Sequence, residues 1–292
     1  SQGIAGNRAG CESIEVMAMG KNYFDLTGRV AVITGGAGLL GQQHAEAIAG
    51  AGGIPVLVDI RVDGVDDHSP EFKNRFGSQA SVVQVDITNP ESVHSMLKVI
   101  LDRHGRVDIL VNNAANNPKM EKTGDVEFSR LENFPLHQWL ADLSVGLTGA
   151  FLCSQVIGSE MARQKSGVIV NVASDLAVIA PDQRLYRKPG LVPEQQPVKP
   201  VTYSVVKTGL IGLTRYLATY WADAGIRVNA ISPGGVYNNQ PEDFVARLSE
   251  LIPMRRMAKV DEYQAAILFL CSDASSYMTG ANLVVDGGRT CW

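Results

Sequence analysis

From Val30 onward, short apolar runs alternate with longer stretches whose apolar residues recur every three or four positions. The short runs are Val30–Thr34, Ile54–Asp59, Val82–Asp86, Val107–Asn112, Val168–Val172, Arg227–Ile231 and Leu283–Asp286, β-rich and often closed by a polar residue. Apolar on both faces, they suit a parallel sheet covered by helices. Among the longer stretches, Asn89-Pro90 after Thr88 supplies an N-cap and a first-turn proline. Val93, Met96, Leu97, Ile100 and Leu101 then follow i, i+3, i+4, i+7, i+8, which predicts one buried helical stripe. Strands alternating with helices imply βαβ units with right-handed crossovers, hence an α/β doubly wound parallel sheet of about seven strands. No composition shift marks a second domain and no internal repeat is present, so a single domain is expected over 22–292.

Two segments break the rhythm. Residues 1–21 are small, polar and aperiodic and read as a flexible or partner-bound arm. Residues 180–200 carry five prolines and no period, and a loop this long inside a compact domain is usually functional or disordered.

Composition narrows the function. Of 292 residues, 45% are apolar and 29 are glycine, which excludes a disordered scaffold and raises the question of why glycine is so frequent. A net charge of −4 with no basic stripe gives no electrostatic footprint for nucleic acid. Cys11, Cys153, Cys271 and Cys291 lie far apart without a nearby histidine cluster. They suggest neither zinc nor a disulfide framework and read as reduced thiols of a cytoplasmic protein. No stretch approaches the roughly 18 uncharged apolar residues of a membrane span. The N-terminus also lacks the basic-then-apolar order of a signal peptide, so no membrane partner is expected.

Part of the glycine has a chemical reading. Thr34-Gly35-Gly36-Ala37-Gly38-Leu39-Leu40-Gly41 follows the first strand and opens a helix. Glycines there let backbone approach a pyrophosphate, and the free N–H groups of the helix start receive its charge. Asp59 closes the second strand about 20 residues further on, where a carboxylate accepts from both ribose hydroxyls and repels a 2′-phosphate. NAD is therefore favoured over NADP, with Arg61 as the counter-argument. Asp86 suits either an adenine amino group or the capping of the following helix.

A second constellation suits acid/base work. Tyr203 and Lys207 stand at i and i+4 at the start of an amphipathic helix, on one face. A nearby cation favours the phenolate of a tyrosine, so the pair can act on an alcohol or ketone. Ser174 stands just beyond the fifth strand, where ligands gather in open α/β sheets.

In this order and company the motifs resemble the short-chain dehydrogenase/reductase superfamily, single-domain branch, over residues 24–288. Besides those above, the matching motifs are Asn112-Asn113-Ala114-Ala115, Asn171-Val172-Ala173-Ser174, Arg227-Val228-Asn229-Ala230 through Pro233-Gly234, and Gly280 through Asp286-Gly287-Gly288. The resemblance implies a Rossmann fold binding NAD, with Ser174 polarising the substrate and Tyr203 as acid/base. Lys207 would hold the nicotinamide ribose and lower the tyrosine pKa. The cofactor-binding set it implies is Gly35, Gly38, Leu39, Leu40, Gly41, Asp59, Ile60, Asp86, Ile87, Asn113, Ala114, Ala115, Tyr203, Lys207, Pro233, Gly234 and Val236. No metal is expected.

Two departures stand out. The glycine loop has its middle glycine at Gly38, where the single-domain branch carries it at the position of Leu39. Gly146 replaces the asparagine that in the family is thought to hold a water of a proton relay.

The 180–188 segment and the Thr290-Cys291-Trp292 ending are similar to bacterial oxidoreductases of flagellin modification and nonulosonic (legionaminic) acid synthesis. Arg184, Tyr186, Arg187, Lys188 and Lys199 in the insertion suit a phosphorylated or nucleotide-linked sugar; the same loop reads equally as a solvated oligomer contact. The resemblance further implies a homodimer or homotetramer, with Glu262–Cys271 and Trp292 suited to subunit contact or to the core. The leading expectation is an NAD-dependent oxidoreductase acting on a sugar hydroxyl. An NAD-retaining epimerase or dehydratase, or a non-catalytic NAD-binding partner of a pathway enzyme, are the alternatives.

Overall fold

The computed structural model describes residues 21–116 and 129–292; apart from Lys21, the expected arm lies outside them. The chain runs β1 (Val30–Thr34), α1 (Leu39–Gly50), β2 (Ile54–Asp59), α2 (Pro70–Phe76), β3 (Ser81–Gln84), α3 (Pro90–His104) and β4 (Ile109–Asn112). After the gap come α4 (Leu136–Leu143), α5 (Gly149–Gln164), β5 (Gly167–Val172), α6 (Val201–Tyr220), β6 (Ile226–Pro233), α7 (Glu242–Glu250), α8 (Gln264–Cys271) and β7 (Asn282–Val285). The seven strands form one parallel sheet in the order β3-β2-β1-β4-β5-β6-β7, with every adjacent pair parallel.

Alternation along the strands builds two cores. Val30, Val32, Val56, Val58 and Leu110 face one side with Met96 and Ile100 of α3, Ile157 of α5 and Leu217 of α6. Ala31, Ile33, Leu57, Ile109 and Val111 face the other with Ile48 of α1, Phe72 and Phe76 of α2, and Ile267 and Leu270 of α8. The α8 segment expected as a subunit contact or core element thus belongs to the core, whereas Trp292 is exposed. The α3 stripe is as expected: Asn89 Oδ1 accepts from Glu91 N at 2.9 Å, and Val93, Met96 and Ile100 are buried.

Three strands have other bounds than the apolar runs suggested, β3 and β4 being shorter and β7 shifted by one residue. β3 stops at Gln84, because the next residues turn: Asp86 Oδ1 accepts from both the Thr88 amide and its hydroxyl, at 2.9 and 2.7 Å. β4 begins at Ile109, because Val107 is tied to the Gln164 side chain and Asp108 turns its carboxylate onto Val30 N. β7 stops at Val285, since both Asp286 carboxylate oxygens cap the turn that follows.

A π-helical turn, Ser144–Thr148, joins α4 and α5 into one helix, Leu136–Gln164. Among the described residues this is the one helix long and apolar enough to cross a membrane, but half of its apolar window is buried within the fold. Gly146 lies in the π turn, and a Cβ there would stand 2.5 Å from Val206 Cγ1. The departure at 146 therefore has a packing cause: Val206, next to Lys207, fills the space a side chain would need.

Candidate active site

The C-terminal ends of β1, β2, β4, β5 and β6 share one edge of the sheet, where open α/β sheets bind ligands. At β1 the glycine loop is shaped by close approach. A Cβ would stand 2.9 Å from Ala114 Cα at Gly35, 2.8 Å from Leu57 Cα at Gly36 and 2.2 Å from Gly35 O at Gly41. Gly35 also has φ +63°, a conformation that favours glycine. Gly38, which caps α1 with extended backbone, meets only Gly35 O at 3.2 Å. Gly36, which the motif reading passed over, is thus held more strictly than Gly38.

The loop is pinned on three sides. Asp59 Oδ2 accepts from Ala37 N at 3.2 Å, Gln42 Nε2 donates to Ala37 O at 2.8 Å, and Asn113 Nδ2 donates to Thr34 O at 3.0 Å and to Gly35 O at 3.2 Å. Thr34 Oγ1 in turn accepts from the amides of Asn113 and Ala114. The Asn113 side chain therefore braces the loop, leaving backbone along Ala114-Ala115 to face a ligand. Asp86 Oδ1 serves the turn to α3, and the Ile87 side chain is buried against Gly149. Leu39 and Ile60 are exposed beside the cradle, whereas Leu40 packs on the core. The residues fit a dinucleotide: a cradle that admits no Cβ, a helix start aimed at it and a carboxylate at the end of β2. Pro233, Gly234 and Val236 continue the edge at β6, where Gly234 packs on Asp286 and Val236 bridges to Ala258.

The reactive groups gather beside this cradle. Ser174, just past β5, and Lys207 on α6 are buried. Lys207 Nζ donates to Val172 O at 2.7 Å and lies 5.9 Å from the centroid of the Tyr203 ring. A small cavity at the joint of α4, α5 and α6 is lined by Asn116, Asp142, Gly146, Tyr203 and Lys207. Asp142 is buried and accepts from Thr202 Oγ1 at 2.5 Å and Gln138 Nε2 at 2.7 Å.

Burial pushes the Tyr203 phenol up from its usual value, helped by the Asp175 carboxylate and opposed by a hydrogen bond with Ser174. The net shift is upward, opposite to the lowering the resemblance implied for this tyrosine. Burial also brings Lys207 down to about 8, with the Lys199 charge acting in the same sense.

Other contacts were invisible in the motifs. Ser174 Oγ donates to Asp175 Oδ1 at 2.8 Å, and Arg289 Nη1 binds Asp175 Oδ2 at 2.7 Å in a buried ion pair. Asn112 and Asn171 face each other across β4 and β5 and hydrogen-bond at 2.8 Å, with Ser154 and Thr214 as further partners. Arg227 holds Leu270 O, Ser272 O and Ser275 Oγ, so that part of the motif secures the end of α8.

The insertion folds as an ordered flap over α7. Leu185 is buried with Leu248, Ile252 and Met257, Tyr186 packs on Phe244, and Arg130 Nη1 donates to Pro193 O at 3.0 Å. Its cations do not converge on the site: Arg184 pairs with Asp182, and Arg187 and Lys188 are exposed. Lys199 alone of the four turns onto Tyr203.

Known proteins resemble this chain in sequence and fold. The family described as short chain dehydrogenase matches residues 29–186, and the one described as enoyl-(acyl carrier protein) reductase matches 193–290. The chain is 34% identical over 272 residues to an NAD-dependent glycerol dehydrogenase of Listeria innocua, covering 91% of this chain and 96% of that one. It is 33% identical to a D-threitol dehydrogenase of Mycolicibacterium smegmatis, over 91% of this chain and 95% of that one. The crystal structure of a gluconate 5-dehydrogenase from Burkholderia cenocepacia in complex with NADP and tartrate superimposes with a TM-score of 0.79 at 27% identity, covering 92% of this chain and 98% of that one. With its seven-stranded parallel sheet and its glycine cradle, the chain belongs to the short-chain dehydrogenase/reductase family, whose named members here oxidise or reduce at CH–OH carbons.

Proposed function

We propose that the protein is an NAD-dependent dehydrogenase interconverting a secondary alcohol and a ketone on a sugar or polyol. The observation that carries this reading is the convergence of Ser174, Tyr203 and Lys207 beside the glycine cradle. NAD bound in the cradle supplies the hydride acceptor or donor. Ser174 Oγ steadies the carbinol oxygen, and Tyr203 Oη takes the carbinol proton in oxidation and returns it in reduction. Lys207, anchored on Val172 O, holds positive charge near the phenol and would hold the nicotinamide ribose of a bound NAD.

The Asp59 carboxylate at the end of β2 supports NAD over NADP, since its charge opposes a 2′-phosphate. The names of the relatives, glycerol, threitol and gluconate dehydrogenases, support a polyhydroxylated substrate. A sugar destined for a bacterial surface or flagellar glycan is one such skeleton. The exposed, stacked Tyr216 and Tyr220 on α6, with exposed Phe151 on α5, support a homo-oligomer.

The test is a panel of glycerol, threitol, gluconate, sugar phosphates and nucleotide-linked sugars with NAD and with NADP, read at the absorbance of the reduced nicotinamide. Tyr203→Phe is expected to abolish turnover while NAD binding survives; full activity in that variant defeats the reading. Asp59→Ser is expected to narrow the preference for NAD over NADP by about tenfold, roughly one charge–charge interaction at a partly solvated site.

A further inference from the structure

The insertion ends at Pro200, which caps α6, and its last side chain before that turns inward. Lys199 Nζ lies 3.8 Å from the centroid of the Tyr203 ring, nearer than Lys207 Nζ at 5.9 Å. Both distances fall within the roughly 6 Å reach of a cation over an aromatic face. The backbone holds Lys199 there: its amide donates to Gln183 Oε1 at 2.8 Å, and the amide of Val198 donates to Ser129 Oγ at 3.2 Å. Two ammonium groups thus attend one phenol, one from the α6 motif and one from the proline-rich insertion.

We propose that Lys199 is a positioning residue for proton transfer, its ammonium stabilising the phenolate of Tyr203, so that the insertion takes part in the chemistry and does not merely enclose the substrate. The proposal rests on the reading of Tyr203 as the acid/base. Among the described residues, the titratable and charged groups around that phenol are Lys207 on its own helix, Asp175 beyond β5, Tyr186 and Lys199 of the insertion, and Asp142 across the cavity. Asp175 is bound to Arg289 and Ser174, and Asp142 to Thr202 and Gln138. Burial and the Asp175 charge both work against the phenolate. Against them the described site sets the hydrogen bond with Ser174 and, at van der Waals distance over the ring, the Lys199 cation.

The device has its own pH range. Burial brings Lys199 down to about 8, with Asp175 partly opposing, so the cation is present at neutral pH and fades above about 8. Lys199 and Lys207 also disfavour each other's protonated forms, and formation of the phenolate relieves both.

The test titrates tyrosinate absorbance in the intact protein, with the Tyr203→Phe curve subtracted, in Lys199→Met and Lys199→Arg backgrounds. Arginine keeps its proton throughout the range. Tyr203 is expected to ionise about one pH unit lower in Lys199→Arg than in the neutral Lys199→Met variant, a tenfold difference in phenolate at a given pH. The wild-type curve is expected to pass from the Lys199→Arg curve towards the Lys199→Met curve as pH rises through about 8. Coincident curves overturn the proposal. A kinetic arm covers an arginine that does not seat: with a substrate turned over in the panel, Lys199→Met is expected to lower kcat about tenfold at neutral pH while KM for NAD holds. A wild-type kcat in Lys199→Met overturns the proposal on its own. Full activity in Tyr203→Phe instead defeats the acid/base reading and leaves the titration result standing.

Discussion

Ser174 owes its setting to a residue far along the chain. Its hydroxyl donates to Asp175, and Asp175 is held by Arg289, 114 positions further on, in a pair that is almost entirely buried. Removing one partner of such a pair leaves an uncompensated charge, at a cost of about 3–5 kcal/mol. Arg289→Met is therefore expected to lower the denaturation midpoint sharply, and the double variant Arg289→Met/Asp175→Leu to recover most of that loss in the same melt. Gly146 is tied to a neighbour in the same way, because Val206 Cγ1 occupies the position its side chain would take. Gly146→Asn alone is expected to cost about 1–3 kcal/mol from overpacking. Gly146→Asn/Val206→Ala should cost less than the sum of the two single changes, an interaction that a double-mutant cycle of melts would read.

At the level of elements, the strands and α3 were legible because their signals are local. A strand covered on both faces must be apolar at every position, and the α3 stripe repeats at the helical period behind its own cap. The placement of Ser174 past a strand end and of Tyr203 and Lys207 one helical turn apart was legible for the same reason, since both are short-range patterns, whereas the roles proposed for them come from the family resemblance. The end of β3, the start of β4 and the end of β7 were not legible, since Asp86, Asp108, Asp286 and Gln164 redirect the backbone through side-chain hydrogen bonds. Gly36 depends on how closely β2 passes the loop, Arg289 on where β7 delivers the chain, and Lys199 on how the insertion folds over α7. None of these is a spacing along the sequence. The cap of α3 gives a direct test of a local signal: Asn89→Ala should lower stability by about 1 kcal/mol in denaturant titration, with the sheet and the site otherwise unchanged.

For the molecule as a whole, protons and stability are linked through buried bases. His44 on α1 is fully buried, and burial, only partly opposed by Asn113, brings it down to about 4 from its usual value of 6.5. Its contribution is fully present above about pH 6.5, where it is neutral folded or unfolded, and is lost as pH falls towards 4, where the unfolded chain takes up the proton and the folded one resists. The melting temperature should therefore fall across that window, and His44→Leu should flatten the fall relative to wild type. The ion pair between Asp175 and Arg289 carries a consequence in time as well as in energy. Because it joins the end of β5 to the turn beyond β7, the setting of Ser174 is finished only when the last strand has docked. Contacts of long sequence separation form late in folding, so on dilution from denaturant the return of catalytic turnover should trail the return of helical circular dichroism. A cradle able to hold a dinucleotide would then exist, for a short interval, in a protein that cannot yet use one.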